Sequence, residues 1–280
     1  MSTSSCILIP VYPRHYPYLV DVLQMNNAPF PIYVCFTNRE EFDLFDKKEL
    51  FIAPKYNFFF LEDLIDLRRY RKRFNEVGSW INVKKFVGLK HLHDTTQFDH
   101  FLVIDAEVKF LTSPELCCDY EAFVKQSVDS RVIIGTCING KHEVIQTINN
   151  TSMDLLPSEW RTKLEELTCN KEYLAWWSTI PIYERKYLDD FYEVLGPDYF
   201  TKLVYRSFDY VIYYLFLIFK GYVTLKTVPW GLECSPRLEH FLEISAENII
   251  LWVSRRIYDK DPEYFKSRPE VMIIFHLDRA

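Results

Sequence analysis

No Cys-x-x-Cys pair occurs in this chain, although cysteine is present at Cys6, Cys35, Cys117, Cys118, Cys137, Cys169 and Cys234. An odd number without paired spacing argues against a disulfide framework or a zinc site. It predicts reduced, mostly buried thiols in a cytosol-like (cytoplasmic) compartment. The first residues lack the charged start and long apolar segment of a secretory leader. No apolar run reaches membrane-spanning length either. The most apolar window, Tyr210 to Phe219, is too short for a bilayer and is flanked by Asp209 and Lys220. An excess of positive charge is also missing. The net charge of -6 argues against a broad non-specific nucleic-acid surface. Internal repeats, low-complexity tracts and linkers are absent, which predicts one domain over residues 1–280. What the chain does have is apolar and aromatic residues, 49% and 17% of the total, the latter mostly 19 Tyr and 22 Phe. That content fills a full core and suits surfaces that stack on sugar rings or bases.

The first third alternates short apolar runs with helical patterns. Cys6 to Val11 reads as a buried strand with Pro10 at its end, where a missing ladder donor is tolerated. A helix follows over about Tyr18 to Met25, then a strand over Ile32 to Phe36. Thr37-Asn38 caps a helix from about Arg39, and Asn57 to Leu61 is a third strand. This β-α-β-α-β order predicts an α/β fold, a mostly parallel central sheet with helices on both faces. A basic helix over Leu64 to Phe74 carries Arg68, Arg69, Arg71, Lys72 and Arg73, and reads as a solvated face. Gly78-Ser79-Trp80 opens a further helix to about Leu92, in which Lys84 shares a face with Trp80.

The remainder is more irregular. It reads as helices over Tyr120 to Gln126, Leu155 to Leu167, Glu184 to Leu195 and Phe208 to Phe219, the last with Ser207 as cap. Strands are expected over Val132 to Thr136, Val223 to Val228 and Val271 to Phe275.

The chain is organised around Phe101 to Leu111. Phe101-Leu102-Val103-Ile104 forms a strand buried on both faces, and Asp105-Ala106-Glu107 follows at its carboxyl end. In extended backbone, residues two apart project to the same side, about 6–7 Å from each other. Carboxylates so placed repel unless a cation lies between them, and a hard divalent ion also bridges carboxylate to phosphate oxygens. Open α/β sheets bind ligands at that edge. The plainer reading is a solvated acidic turn.

Four segments in order resemble a GT-A fold glycosyltransferase. They are Ile9-Pro10-Val11-Tyr12, Gly78-Ser79-Trp80-Ile81-Asn82-Val83-Lys84-Lys85-Phe86, the acidic strand in the position of an Asp-x-Asp motif, and Ser207-Phe208-Asp209-Tyr210-Val211-Ile212-Tyr213. Glu107 stands where the family commonly has Asp, and Asp209 where it commonly has Glu. The whole is also similar to the small glycosyltransferases that large algal viruses encode for capsid glycans, xylosyltransferases of the chlorovirus type in particular.

The resemblance implies a Rossmann-like GT-A domain, with a nucleotide-sugar-binding half over about 1–112 and an acceptor-binding half over about 113–280. It implies an inverting, metal-dependent transfer from a nucleotide sugar, UDP-xylose being the narrowest reading, to an oligosaccharide or glycoprotein acceptor. Asp105 and Glu107, with His276 as a third ligand, would hold Mn²⁺ or Mg²⁺. Lys84, or its neighbour Lys85, would meet the diphosphate. Pro10, Val11, Tyr12, Thr37 and Ala106 would line the nucleotide site. Asp209 would act as base, and Trp176, Trp177, Tyr183 and Trp230 would face the acceptor. A retaining GT-A enzyme and a non-catalytic nucleotide- or glycan-binding module remain the alternatives.

Overall fold

The computed structural model describes residues 4–25, 30–45, 56–110, 131–139, 143–167, 172–175, 182–229, 250–254, 258–263 and 271–275. Its first half runs β1 (Ser5–Pro10), α1 (Tyr16–Met25), β2 (Ile32–Phe36), α2 (Arg39–Leu44), β3 (Tyr56–Phe60), α3 (Leu67–Val77), α4 (Trp80–Thr95), β4 (His100–Val103) and β5 (Val108–Phe110). The second half runs β6 (Val132–Asn139), α5 (Glu143–Met153), α6 (Trp160–Leu167), β7 (Glu172–Ala175), β8 (Ile182–Glu184), α7 (Arg185–Leu195), α8 (Tyr199–Lys202), α9 (Asp209–Phe219), β9 (Thr224–Pro229), β10 (Ile250–Ser254) and β11 (Val271–Phe275).

The central sheet has the order β3-β2-β1-β4-β8. β1 pairs in parallel with β2 and β4, β2 pairs in parallel with β3, and β8 lies antiparallel to β4 at the edge. Ile7 stands opposite Ile32 on one side and Leu102 on the other. Pro10 ends β1 as its missing N–H requires, and Val11 N–H then donates to the Cys35 carbonyl at 3.1 Å.

Strand alternation separates two cores. Cys6, Leu8, Cys35, Phe101 and Val103 face a layer built from α4, α7 and α9. Ile7, Ile9, Ile32, Val34, Leu102 and Ile104 face Leu19 and Leu23 of α1, with Phe42 of α2 packed alongside. Helices therefore cover both faces, and β1, β2 and β4 carry the near-continuous apolar runs that such burial demands. Two smaller sheets, β10-β11-β5 and β7-β6-β9, complete the described strands.

Local chemistry fixes the element ends near the sheet's carboxyl edge. Asn38 accepts from the Glu41 N–H at 2.8 Å and starts α2. Gly78 adopts the left-handed conformation, φ 62°, that closes α3, and Ser79 N–H returns to the Phe74 carbonyl at 3.1 Å. α4 starts immediately afterwards.

Some elements differ from the sequence expectation. Ile182 to Glu184 is an edge strand rather than the lead-in to a helix, because β4 offers it a pairing partner. α5 was not expected, and α6 begins at Trp160 rather than at Leu155. Ser207 does not cap α9. Phe208 occupies the cap position, and Ser207 Oγ instead accepts from the Val204 N–H at 3.0 Å. The expected helix over Tyr120 to Gln126 lies outside the described residues.

Candidate functional site

The chain lays down β1, β2 and β3 outward to one side, then returns to place β4 on the other side of β1. The direction of build reverses between β1 and β4, and open α/β sheets bind their ligands at the carboxyl ends of strands at such a point. Val11 and Tyr12 leave β1 at this edge, Thr37 leaves β2, and Asp105, Ala106 and Glu107 follow β4. Pro10, Val11 and Ala106 are buried. Thr37 is 6% exposed, and its hydroxyl oxygen has no partner among the described residues.

The two lysines of α4 have different surroundings. Lys84, expected at a diphosphate, is fully buried. Its ammonium donates to the Val11 carbonyl, lies 4.5 Å from the centre of the Tyr12 ring, and has Glu41 Oε2 at 3.8 Å. Burial lowers its pKa, and the Glu41 charge partly offsets that. Lys84 therefore ties α4 to the end of β1. The shared face with Trp80 was a poor guide, because Trp80 packs on Phe74 and donates to Asn75 Oδ1 at 2.7 Å.

Lys85 is the lysine that reaches the acidic strand. Its Nζ lies 2.8 Å from Asp105 Oδ1 and 3.0 Å from Asp209 Oδ1. Burial alone would lower its pKa, but Asp105 and then Asp209 more than offset this and hold the ammonium form. Asp105 shares the parity of Phe101 and Val103, which explains why it points to the α4 and α9 side. Asp209 opens α9, and its other oxygen, Oδ2, accepts from the Tyr183 hydroxyl at 2.6 Å.

Asp209 is held from behind. The Asn82 amide donates to the Val204 and Tyr205 carbonyls at 2.8 and 3.0 Å, and Thr151 Oγ1 donates to the Arg206 carbonyl at 3.0 Å. These bonds pin residues 204–206, which deliver α9 to the site. The Tyr183 ring stacks obliquely on Tyr213 with centroids 4.5 Å apart. Tyr183, expected to face an acceptor, is 1% exposed, so it is a buried partner of Asp209 and not a stacking surface.

The two acids of the strand do not share one described partner. β4 ends at Val103 and the chain bends at Ala106 and Glu107, so the two-residue alternation that still orients Asp105 does not carry over to Glu107. Glu107 Oε2 lies 3.3 Å from His15 Nδ1, on the turn after β1. Among the described residues, no group of three or more His, Cys, Asp or Glu could hold a metal ion. Asp105 and Glu107 are nonetheless oxygen donors of the kind hard divalent cations prefer, and the position of Lys85 shows that Asp105 draws a cation. His276, Trp176, Trp177 and Trp230 lie outside the described residues.

Sequence reasoning weighed Lys85 but favoured Lys84, and it missed the Tyr183–Asp209 bond altogether. A usable signal for Lys85 was its position one residue, or about 100° of helix, from a lysine on the buried face.

No family model and no curated protein matches this chain. Among solved structures it is similar to a CMP:2-keto-3-deoxy-manno-octonic acid synthetase complexed with CTP, with TM-score 0.38 and 10% identity over 86% of this chain and 97% of that one. It is also similar to core-mannan synthase A from Aspergillus fumigatus in a Mn/GDP form, with TM-score 0.38 and 12% identity over 84% and 80% of the two chains. At those scores neither likeness supports an inference about this protein. The fold class rests on its own strand order. No helix among the described residues is long and apolar enough to cross a membrane.

Proposed function

We propose that this chain is a nucleotide-sugar-dependent glycosyltransferase of GT-A type, acting at the carboxyl edge of β1 and β4. One observation carries the reading. At the point where strand order reverses, the acid that ends β4 and the acid that opens α9 converge on the same lysine nitrogen, at 2.8 and 3.0 Å. A donor diphosphate needs cationic groups beside it, and an acceptor hydroxyl needs a base. This edge supplies residues for both tasks.

In this reading Thr37, Tyr12 and Val11 border the nucleoside, and Lys85 meets the diphosphate in place of the buried Lys84. Asp105 and Glu107 hold Mn²⁺ or Mg²⁺, with His276 as a further ligand. That cation, when bound, neutralises charge on the departing diphosphate. Asp209 accepts the proton of the acceptor hydroxyl and is oriented for it by Tyr183 and Lys85. Direct attack with inversion is the mechanism this arrangement favours. Trp176, Trp177 and Trp230 are proposed to contact a glycan acceptor. UDP-xylose as donor and a role in viral capsid glycans rest on the sequence resemblance alone.

The test is transfer from a panel of UDP-sugars, with the anomeric configuration of the product determined. Asp209→Asn should lower kcat by at least about 100-fold, the usual contribution of a positioned base. EDTA should stop the reaction. Retention of configuration, with Asp209→Asn still active, would favour a retaining enzyme.

A second reading has its own support. Asp209 is 3% exposed, with Lys85 and Tyr183 on its two oxygens, which suits a structural acid in a non-catalytic binding module. Nucleotide-sugar binding without any turnover would decide for that reading.

A further inference from the structure

We infer that Lys85 is the resident cation of the donor site: its ammonium occupies Asp105 in the ligand-free protein, competes there with a divalent ion, and pairs with the diphosphate when the donor arrives. The inference rests on the proposed function, in which Asp105 is a metal ligand.

The argument starts from the asymmetry of the bridge. Lys85 Nζ is nearly equidistant from the two carboxylates, at 2.8 Å from Asp105 and 3.0 Å from Asp209. The two sides of the bridge are not equivalent. The Asp209 side chain is 4% exposed, whereas that of Asp105 is 35% exposed. Asp209 also accepts from the Tyr183 hydroxyl at 2.6 Å through its other oxygen. The Oδ1 atoms that meet Lys85 are buried on both acids, so the exposure of Asp105 lies on the rest of its carboxylate, and it is there that water and ions reach the cluster.

The lysine's origin is fixed by its buried neighbours. Lys84 and Phe86, on either side of it, are buried, so α4 cannot turn to carry Lys85 away. The four-carbon stem lets the ammonium shift between neighbouring oxygens without moving the helix. Charge then sets the direction of exchange. Among the described residues, the two carboxylates and one ammonium of the bridge sum to one negative charge. A divalent ion at Asp105 repels the ammonium, and a diphosphate beside that ion attracts it. Lys85 therefore opposes the metal alone and favours the metal together with the nucleotide.

This sign pattern distinguishes a resident cation from a merely structural lysine, whose loss would loosen the site toward both ligands. The experiment measures Mn²⁺ binding alone, by the electron paramagnetic resonance of the unbound ion, and UDP binding at saturating Mn²⁺, by calorimetry. Wild type is compared with Lys85→Met, Lys85→Gln, Lys85→Arg and Asp105→Asn. Gln is included because its amide can still donate to the carboxylates if Met destabilises the fold, and circular dichroism confirms which variants are folded.

The expected result is Mn²⁺ binding at least about tenfold tighter in the neutral variants, with UDP binding at least about tenfold weaker, since the removed charge repels the first ligand and attracts the second. Lys85→Arg should restore UDP binding. Equal or weaker Mn²⁺ binding in the folded neutral variants, with Asp105→Asn still abolishing it, would overturn the inference and leave the donor-site reading intact. Mn²⁺ binding that Asp105→Asn leaves unchanged would sink the metal assignment and this inference together.

Discussion

Replacing Tyr183 with Phe removes one hydroxyl and leaves the ring in place. That hydroxyl donates to Asp209 Oδ2 at 2.6 Å, within the short range of bonds to an ionised acceptor. Burial first, and then the Asp209 charge, raises the Tyr183 pKa well above its ordinary value, so the group remains a donor at any working pH. A hydrogen bond to a charged group contributes about 1.5–3 kcal/mol to stability. Lys85 remains on the other oxygen at 3.0 Å, so the carboxylate keeps a counter-ion and the lower part of that range applies. The expected loss is about 2 kcal/mol, a Tm lower by about 3–4 °C for a chain of this size. The assay is urea unfolding of the single variants Tyr183→Phe and Asp209→Asn and of the double variant. The cycle should return a coupling of about 1.5–2 kcal/mol. In transfer assays Tyr183→Phe should lower kcat more than it raises KM, because the hydroxyl bonds the proposed base, Asp209, while Lys85 is the group proposed to meet the donor. Coupling below about 0.5 kcal/mol, the level at which independent sites add, would refute the buried bond.

Further predictions concern the scaffold. A Cβ at Gly88 would meet Phe59 Cζ at 3.1 Å and both Leu8 methyls at 3.4 Å, so Gly88→Val should overpack α4 against the sheet and destabilise by about 1–3 kcal/mol in chemical denaturation. Burial raises the Cys35 thiol to about 12, and pushes Cys6 up as well, so both should resist alkylation at pH 8 in the native protein and react fully in urea, as read by peptide mass spectrometry. Burial also lowers the pKa of His91 and of His100. The unfolded chain then binds more protons as pH falls through about 6.5, so the stability present above that pH is lost below it. His91→Gln with His100→Gln should flatten the fall in urea midpoint between pH 7.5 and 5.5.

The central sheet was legible because its strands are short, buried on both faces and separated by recognisable caps. Ile32–Phe36 followed by Asn38 is one such unit, and the run from Phe101 into Asp105 is another. The acid that opens α9 was legible for the same reason, since a carboxylate in the first turn is favoured by the helix dipole. What was not legible depends on tertiary partners. β8 exists because β4 pairs with it over Leu102 and Ile182, not because three residues prefer extended backbone. α5 carries Thr147, Asn149, Asn150, Thr151 and Ser152, which are weak helix formers. It is held by buried Ile145, Ile148 and Met153, and by hydroxyls that bond back to the preceding turn. The choice between Lys84 and Lys85 turned on one helical step. Only the packing of α4 against β1 shows which of them faces Val11 and which faces Asp105.

The central claim is that a nucleotide diphosphate binds at the end of β4 through Asp105 and a divalent ion. Calorimetric titration of UDP into wild type and Asp105→Asn, each with Mn²⁺ and with EDTA, tests it most directly. The account predicts that Mn²⁺ tightens UDP binding to wild type by at least about tenfold, or 1.4 kcal/mol, and that Asp105→Asn removes this gain. UDP binding of equal strength in all four titrations, or none in any, would contradict it.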